Sequence, residues 1–128
     1  MDKILIIEDE ELIREELKTL LSNAGYLVGA AEEFGNVAEL VRALAPDLIL
    51  LDVNLPGRDG YHLCADIRSF SDTPILFLTG RDTSMDELYA LTIGGDDYIT
   101  KPYNVPILLA RIKLLLKRGK RSEERRVG

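Results

Sequence analysis

The stretch Asp47-Leu48-Ile49-Leu50-Leu51-Asp52-Val53-Asn54-Leu55-Pro56-Gly57 runs four apolar residues straight into a carboxylate. A loop carrying Pro56 and Gly57 follows, with Gly60 soon after. A short apolar run bounded by turn residues reads as a buried strand. Asp52 therefore stands where a buried strand leaves the core. In an open α/β sheet, that is the edge at which ligands bind.

Working outward from that strand, the chain alternates. Lys3 to Ile7 is a short apolar strand ending in four acids, Glu8 to Glu11. Ile13, Leu17, Leu20, Leu21 and Ala24 then recur at helical spacing, and Gly25 closes that helix. Tyr26 to Ala30 is the second strand. Asn36 with Glu39 resembles a capping box ahead of Val37, Leu40, Val41 and Leu44, a second helix that Pro46 stops.

Beyond the Asp52 loop, Tyr61, Cys64, Ala65 and Ile67 mark a short third helix. Ile75 to Leu78 is the fourth strand and ends at Thr79-Gly80. Met85 to Ile93 is a weak fourth helix, closed by Gly94-Gly95. Tyr98 to Thr100 is a very short fifth strand ending at Lys101-Pro102. The longest amphipathic helix carries Val105, Leu108, Leu109, Ile112, Leu115 and Leu116, and the pattern ends it at Lys117-Arg118-Gly119. Residues 119–128 are polar and lack apolar periodicity, so they read as a linker or tail.

Five strands alternating with five helices predict an α/β domain, a doubly wound parallel sheet with right-handed crossovers. A chain of 128 residues is one domain, and 46% hydrophobic with 30% charged residues suits an ordinary globular protein. The single cysteine, Cys64, excludes an internal disulfide. No apolar run approaches the roughly 20 residues that span a bilayer. The start at Met1-Asp2-Lys3 leads directly into a strand, so no signal peptide and a cytoplasmic location are expected. Residues 1–118 hold 12 basic and 20 acidic residues, a net charge of −8. Such a body is a poor nucleic-acid binder, and DNA binding would need an attached domain.

Parallel strands present their C-terminal ends along one edge. The first ends at Glu8-Asp9, the third at Asp52, the fourth at Thr79 and the fifth at Lys101. Only the second offers nothing polar, which places it outermost and predicts the order 2-1-3-4-5. Clustered carboxylates repel and call for a cation. Mg²⁺ fits, since it takes one or two carboxylates and bridges to phosphate oxygens. The Lys101 ammonium suits a phosphoryl group, and the Thr79 hydroxyl can donate to one. With no Ser, Cys or His at that edge, the nucleophile is a carboxylate, and the residue types point to phosphoryl transfer onto Asp52.

The motifs Ile6 to Glu10 (IIEDE), Leu50 to Gly60 (LLDVNLPGRDG), Thr79-Gly80 and Gly94 to Tyr103 (GGDDYITKPY) resemble those of two-component response-regulator receiver domains. The resemblance covers residues 2–118 and implies a flavodoxin-like (βα)5 fold. It implies that Asp52 accepts a phosphoryl group from a sensor histidine kinase. Asp9, Asp52 and the Asn54 backbone carbonyl would ligate Mg²⁺, with Glu8 acting through a metal-bound water. Thr79 and Lys101 would bind the phosphoryl oxygens, Tyr98 would be the switch aromatic, and Lys101-Pro102 would be a cis peptide. The Asn54 side chain would point toward the phosphoryl site.

The likeness is greatest to the subfamily with a winged-helix DNA-binding domain. It implies a homodimer formed on phosphorylation through the fourth helix, fifth strand and fifth helix, with DNA bound through an output domain beyond residue 119. Asp97 with Arg111 and Asp96 with Arg118 match two charge pairs of that dimer face. At the third pair the sequence has Glu87 and Ile107, where an apolar contact could take the pair's place. Gly95 stands for the usual Ala, and Tyr103 for the usual Phe. The resemblance thus implies a signalling domain that assists its own phosphorylation and dephosphorylation, rather than an enzyme. Two alternatives stay open. One is a stand-alone receiver acting by protein docking. The other is a haloacid-dehalogenase-type phosphatase, although Asp52-Val53-Asn54-Leu55-Pro56 lacks that family's second Asp and its Thr.

Overall fold

The structure, a computed structural model, describes the backbone of residues 1–127 and the side chains of residues 1–120. Five strands, β1 (Lys3–Ile7), β2 (Leu27–Ala30), β3 (Leu48–Leu51), β4 (Ile75–Thr79) and β5 (Asp97–Thr100), form one parallel sheet in the order β2-β1-β3-β4-β5. The five helices are α1 (Glu11–Asn23), α2 (Val37–Leu44), α3 (Gly60–Arg68), α4 (Ser84–Thr92) and α5 (Val105–Val127). The expected strand order is thereby observed.

Strand side chains alternate between the two faces of a sheet. Ile4, Ile6, Leu48, Leu50, Leu76 and Leu78 pack on one face with Leu17 and Leu21 of α1 and Leu108, Ile112, Leu115 and Leu116 of α5. Leu5, Ile7, Ile49, Leu51, Ile75 and Phe77 pack on the other with Val37 and Val41 of α2, Tyr61, Leu63, Cys64 and Ile67 of α3, and Ala90 of α4. Central strands buried on both faces become continuous apolar runs, which is why β3 reads so clearly. The register sets Ile7 against Leu51 and Leu51 against Phe77, bringing the ends of β1, β3 and β4 level.

The ends of α1 and α2 contrast. Gly25 has φ 96°, its N–H donates to Ser22 O at 3.1 Å, and the Tyr26 N–H donates to Leu21 O at 3.1 Å, which together stop α1 as expected. The capping box expected at Asn36 and Glu39 is not formed. Asn36 has φ −124° and ψ 30°, away from the extended backbone that aims a cap side chain, and its side chain makes no cap hydrogen bond.

Two further expectations move. α4 spans Ser84–Thr92, one residue earlier at each end than expected. The α5 backbone runs on to Val127 instead of ending near Gly119. Gly119 is a helix residue here, and a Cβ on it would make only ordinary contact with Pro74, 3.4 Å from its Cγ. The expected tail thus begins as helix; the side chains of residues 121–127, and Gly128, lie outside the described residues. Among the described residues no helix is long and apolar enough to cross a membrane.

Candidate functional site

The strand ends bring their polar residues together. Glu8 follows β1 and Asp52 follows β3, and both are buried, at 2% and 6% exposure. Asp9 stands beside them on the exposed side, and one carboxylate oxygen from each of Glu8, Asp9 and Asp52 lies within 4.8 Å of the others. Thr79, the last residue of β4, is fully buried. Lys101 follows β5 at a cis bond to Pro102. Its Nζ donates to Glu8 Oε1 and, at 3.1 Å, to Asp52 Oδ2.

The loop after β3 is shaped by backbone contact. The Gly60 N–H donates to Val53 O at 2.7 Å, closing the loop that opens at Asp52. A Cβ on Gly60 would lie 2.1 Å from Asp52 O and 2.8 Å from Val53 Cα, so only glycine fits. The Asn54 N–H donates to Asp52 Oδ1 at 3.3 Å. Asp59 then caps α3, accepting from the His62 N–H at 2.9 Å.

Two buried carboxylates, Glu8 and Asp52, share one ammonium here, with Asp9 close by. Burial, reinforced by the charge of Asp52, pushes the Glu8 carboxyl up to about 7, against the pull of its bond to Lys101. Burial alone would lower the Lys101 ammonium, but its bonds and charge contacts with Glu8 and Asp52 outweigh that and raise it. Both shifts reflect negative charge held out of water with a single counter-charge. Three hard oxygen donors at one corner, short of positive charge, are a donor set that fits Mg²⁺.

Around this corner the other expected residues take distinct places. The Thr79 hydroxyl accepts from the Arg81 N–H at 3.4 Å. The Tyr98 ring is buried and its hydroxyl donates to Arg81 O at 2.6 Å, while burial pushes the phenol's pKa up. The Asn54 side chain lies at the rim, its Oδ1 accepting from Arg81 Nε at 3.0 Å.

The residues expected at a dimer face lie away from this corner. Within the chain Arg111 bonds both carboxylate oxygens of Asp97 at 2.9 Å. Within the chain Asp96 Oδ2 accepts from Arg68 and from the Ile75 N–H, each at 2.8 Å. Glu87 is exposed, Ile107 is half exposed, and Leu88, Leu91 and Leu114 are exposed with it. Gly95 has a local cause, since a Cβ there would lie 2.7 Å from the Phe77 ring.

Sequence reasoning missed Arg81, which touches Asn54, Thr79 and Tyr98 at once. Its signal was its place two residues after the strand-end Thr79. It also missed Arg68, whose guanidinium bonds Gly94 O, Ser71 O, Thr73 O and Asp96.

Known proteins share this arrangement. The response regulator receiver domain family matches residues 4–113. The transcriptional regulatory protein YxdJ of Bacillus subtilis is 44% identical over 119 residues, which cover 93% of this chain and 52% of YxdJ. The sensory transduction protein BceR of Halalkalibacterium halodurans is 40% identical over 118 residues, covering 92% of this chain and 51% of BceR. The chain thus spans about half the length of these curated relatives. The BeF3-activated N-terminal receiver domain of Klebsiella pneumoniae RstA superposes with a TM-score of 0.86 at 35% identity, covering 90% of this chain and 98% of that one. A strand order of 2-1-3-4-5, an acid corner bridged by a lysine, and relatives that match from β1 into α5 lead to one assignment: this chain belongs to the response regulator receiver domain family.

Proposed function

We propose that this domain is a phosphorylation-activated switch whose acceptor is Asp52. The observation that carries the reading is a buried Asp52 carboxylate between Glu8, Asp9 and Lys101. In the reaction, an Asp52 carboxylate oxygen attacks the phosphorus of a phosphohistidine on a sensor histidine kinase. The P–N bond breaks, the imidazole takes a proton, and an acyl phosphate forms on Asp52. Lys101 turns from Asp52 to pair with the phosphoryl oxygens. The Thr79 hydroxyl, now an acceptor for the Arg81 N–H, donates to one of those oxygens.

Mg²⁺ would be held by Asp9, Asp52 and the Asn54 carbonyl, with Glu8 acting through a water, and would supply charge neutralisation at the transferring group. The domain acts as a signalling module; chemistry on its own acyl phosphate is a minor part. Its expected location is the cytoplasm, where the kinase would meet it.

The output follows from the added charge. Recruiting Thr79 and Tyr98 shifts the face of α4, β5 and α5, on which Glu87, Asp96, Asp97, Ile107, Arg111 and Arg118 lie, and a homodimer forms there. Transcriptional relatives about twice as long support an output domain joined through the segment after residue 118, and DNA binding would belong to that domain.

The test is intact mass after incubation with Mg²⁺ and acetyl phosphate. Wild type gains the mass of one phosphoryl group and Asp52→Ala gains none. Equal labelling of both, or no labelling of wild type, refutes the acceptor.

A further inference from the structure

A second polar cluster joins the acid site to α4, and Arg81 is its centre. Arg81 Nε donates to Asn54 Oδ1 at 3.0 Å, on the loop two residues after Asp52. Its N–H donates to Thr79 Oγ1 at 3.4 Å, and its carbonyl accepts from Tyr98 Oη at 2.6 Å. On the far side its NH1 lies 3.8 Å from Asp86 Oδ1 in the first turn of α4, and its guanidinium carbon stands 5.9 Å from the Tyr61 ring centroid. Asp86 is pinned in turn. Its Oδ2 accepts from Thr83 Oγ1 at 2.5 Å and its Oδ1 from Tyr61 Oη at 3.3 Å.

The helix at the end of this chain of contacts is weakly held otherwise. Ala90 is the buried residue of α4, while Met85, Leu88, Tyr89 and Leu91 are exposed. With so little apolar burial, polar ties of modest strength decide where α4 sits. One of those ties runs through Arg81, whose other contacts are with the two segments that phosphorylation would disturb.

We infer that Arg81 is a positioning residue that couples the state of Asp52 to α4, with Asp86 as its anchor on the helix. The inference rests on the phosphoacceptor reading above. When the Thr79 hydroxyl turns to a phosphoryl oxygen, Arg81 loses that acceptor, and any shift of the Asn54 loop pulls the same guanidinium. Both displacements reach Asp86 through one residue. A coupling of this kind requires an element that both sites bias, and the first turn of α4 is that element.

The experiment uses beryllofluoride with Mg²⁺ as the probe, on the 128-residue chain. Fluorine NMR reads its binding, and amide hydrogen exchange reads residues 84–92. In wild type the probe binds and changes exchange in α4. In Arg81→Ala and in Asp86→Asn, which keeps the shape of the side chain, the probe still binds and the change in α4 falls by about fivefold or more. Tyr61→Phe gives a smaller loss. An α4 response equal to wild type in Arg81→Ala overturns the inference, as does loss of probe binding in that variant, which would put Arg81 in the binding site itself. A wild type that binds no beryllofluoride overturns the phosphoacceptor reading and this one with it.

Discussion

At the edge where the strands begin, each carboxylate meets its own donor: Asp47 Oδ2 accepts from the Lys3 N–H at 2.7 Å, Asp96 is held by Arg68 and the Ile75 N–H, and Asp2 pairs with Lys120 at 3.2 Å. At the edge where the strands end, Glu8, Asp9 and Asp52 cluster, and Glu8 and Asp52 both bond Lys101. The first edge also holds a concavity of about 510 Å³ between residues such as Arg42, Phe70, Pro74 and Arg118. Volume does not locate the chemistry. The difference lies in charge balance: Asp96 and Asp2 each face a cation of their own, whereas Glu8 and Asp52 share the single ammonium of Lys101.

The comparison breaks most visibly if its scaffolding is altered. Gly60→Ala forces a Cβ against Asp52 O and Val53 Cα, backbone that has little room to move. It should cost about 3 kcal/mol or more in urea unfolding. Gly35→Ala, with no atom within 4 Å of its Cβ, should change stability by less than about 0.5 kcal/mol. Similar losses at both glycines would mean that the Asp52 loop is not set by close backbone approach.

The balanced edge has its own keystone. Arg68→Ala removes hydrogen bonds to Gly94, Ser71, Thr73 and Asp96 and leaves Asp96 with the Ile75 N–H. The expected loss is about 2–3 kcal/mol, with Mg²⁺ affinity unchanged. A drop in Mg²⁺ affinity would show that the two edges are not independent.

A smaller effect sharpens the contrast through pH. The folded-state Glu8 carboxyl sits near 7, above its ordinary 4.5, so the folded state holds a proton that the unfolded chain has released. Its contribution to stability is whole below about pH 4.5 and is lost as pH rises through about 7. Lys101, raised above its ordinary value, stays charged throughout that window and adds no slope there. Without Mg²⁺, chemical unfolding should lose about 1–2 kcal/mol from this group across the window. Glu8→Gln should flatten that slope, and a slope that survives the substitution would assign it elsewhere.

Much of the site was legible because strand ends are legible. A buried run such as Leu48 to Leu51 announces both a strand and the point where it stops, and Asp52 and Lys101 follow from position alone. The contacts that run between loops were not. Arg68 meets Asp96 across 28 residues, and Arg81 meets Asn54 across 27, with no periodicity to mark either. Gly119 misled for a related reason: glycine signals a helix end only when its backbone turns, and here the helix runs on through it. Asn36 had the right residue type for a cap and the wrong ψ.

Mg²⁺ titration calorimetry on wild type, Asp52→Asn and Asp47→Asn tests the charge-balance account most directly. The account predicts one Mg²⁺ per wild-type chain, at least about tenfold weaker binding in Asp52→Asn, and unchanged binding in Asp47→Asn. Equal affinity in wild type and Asp52→Asn would contradict it.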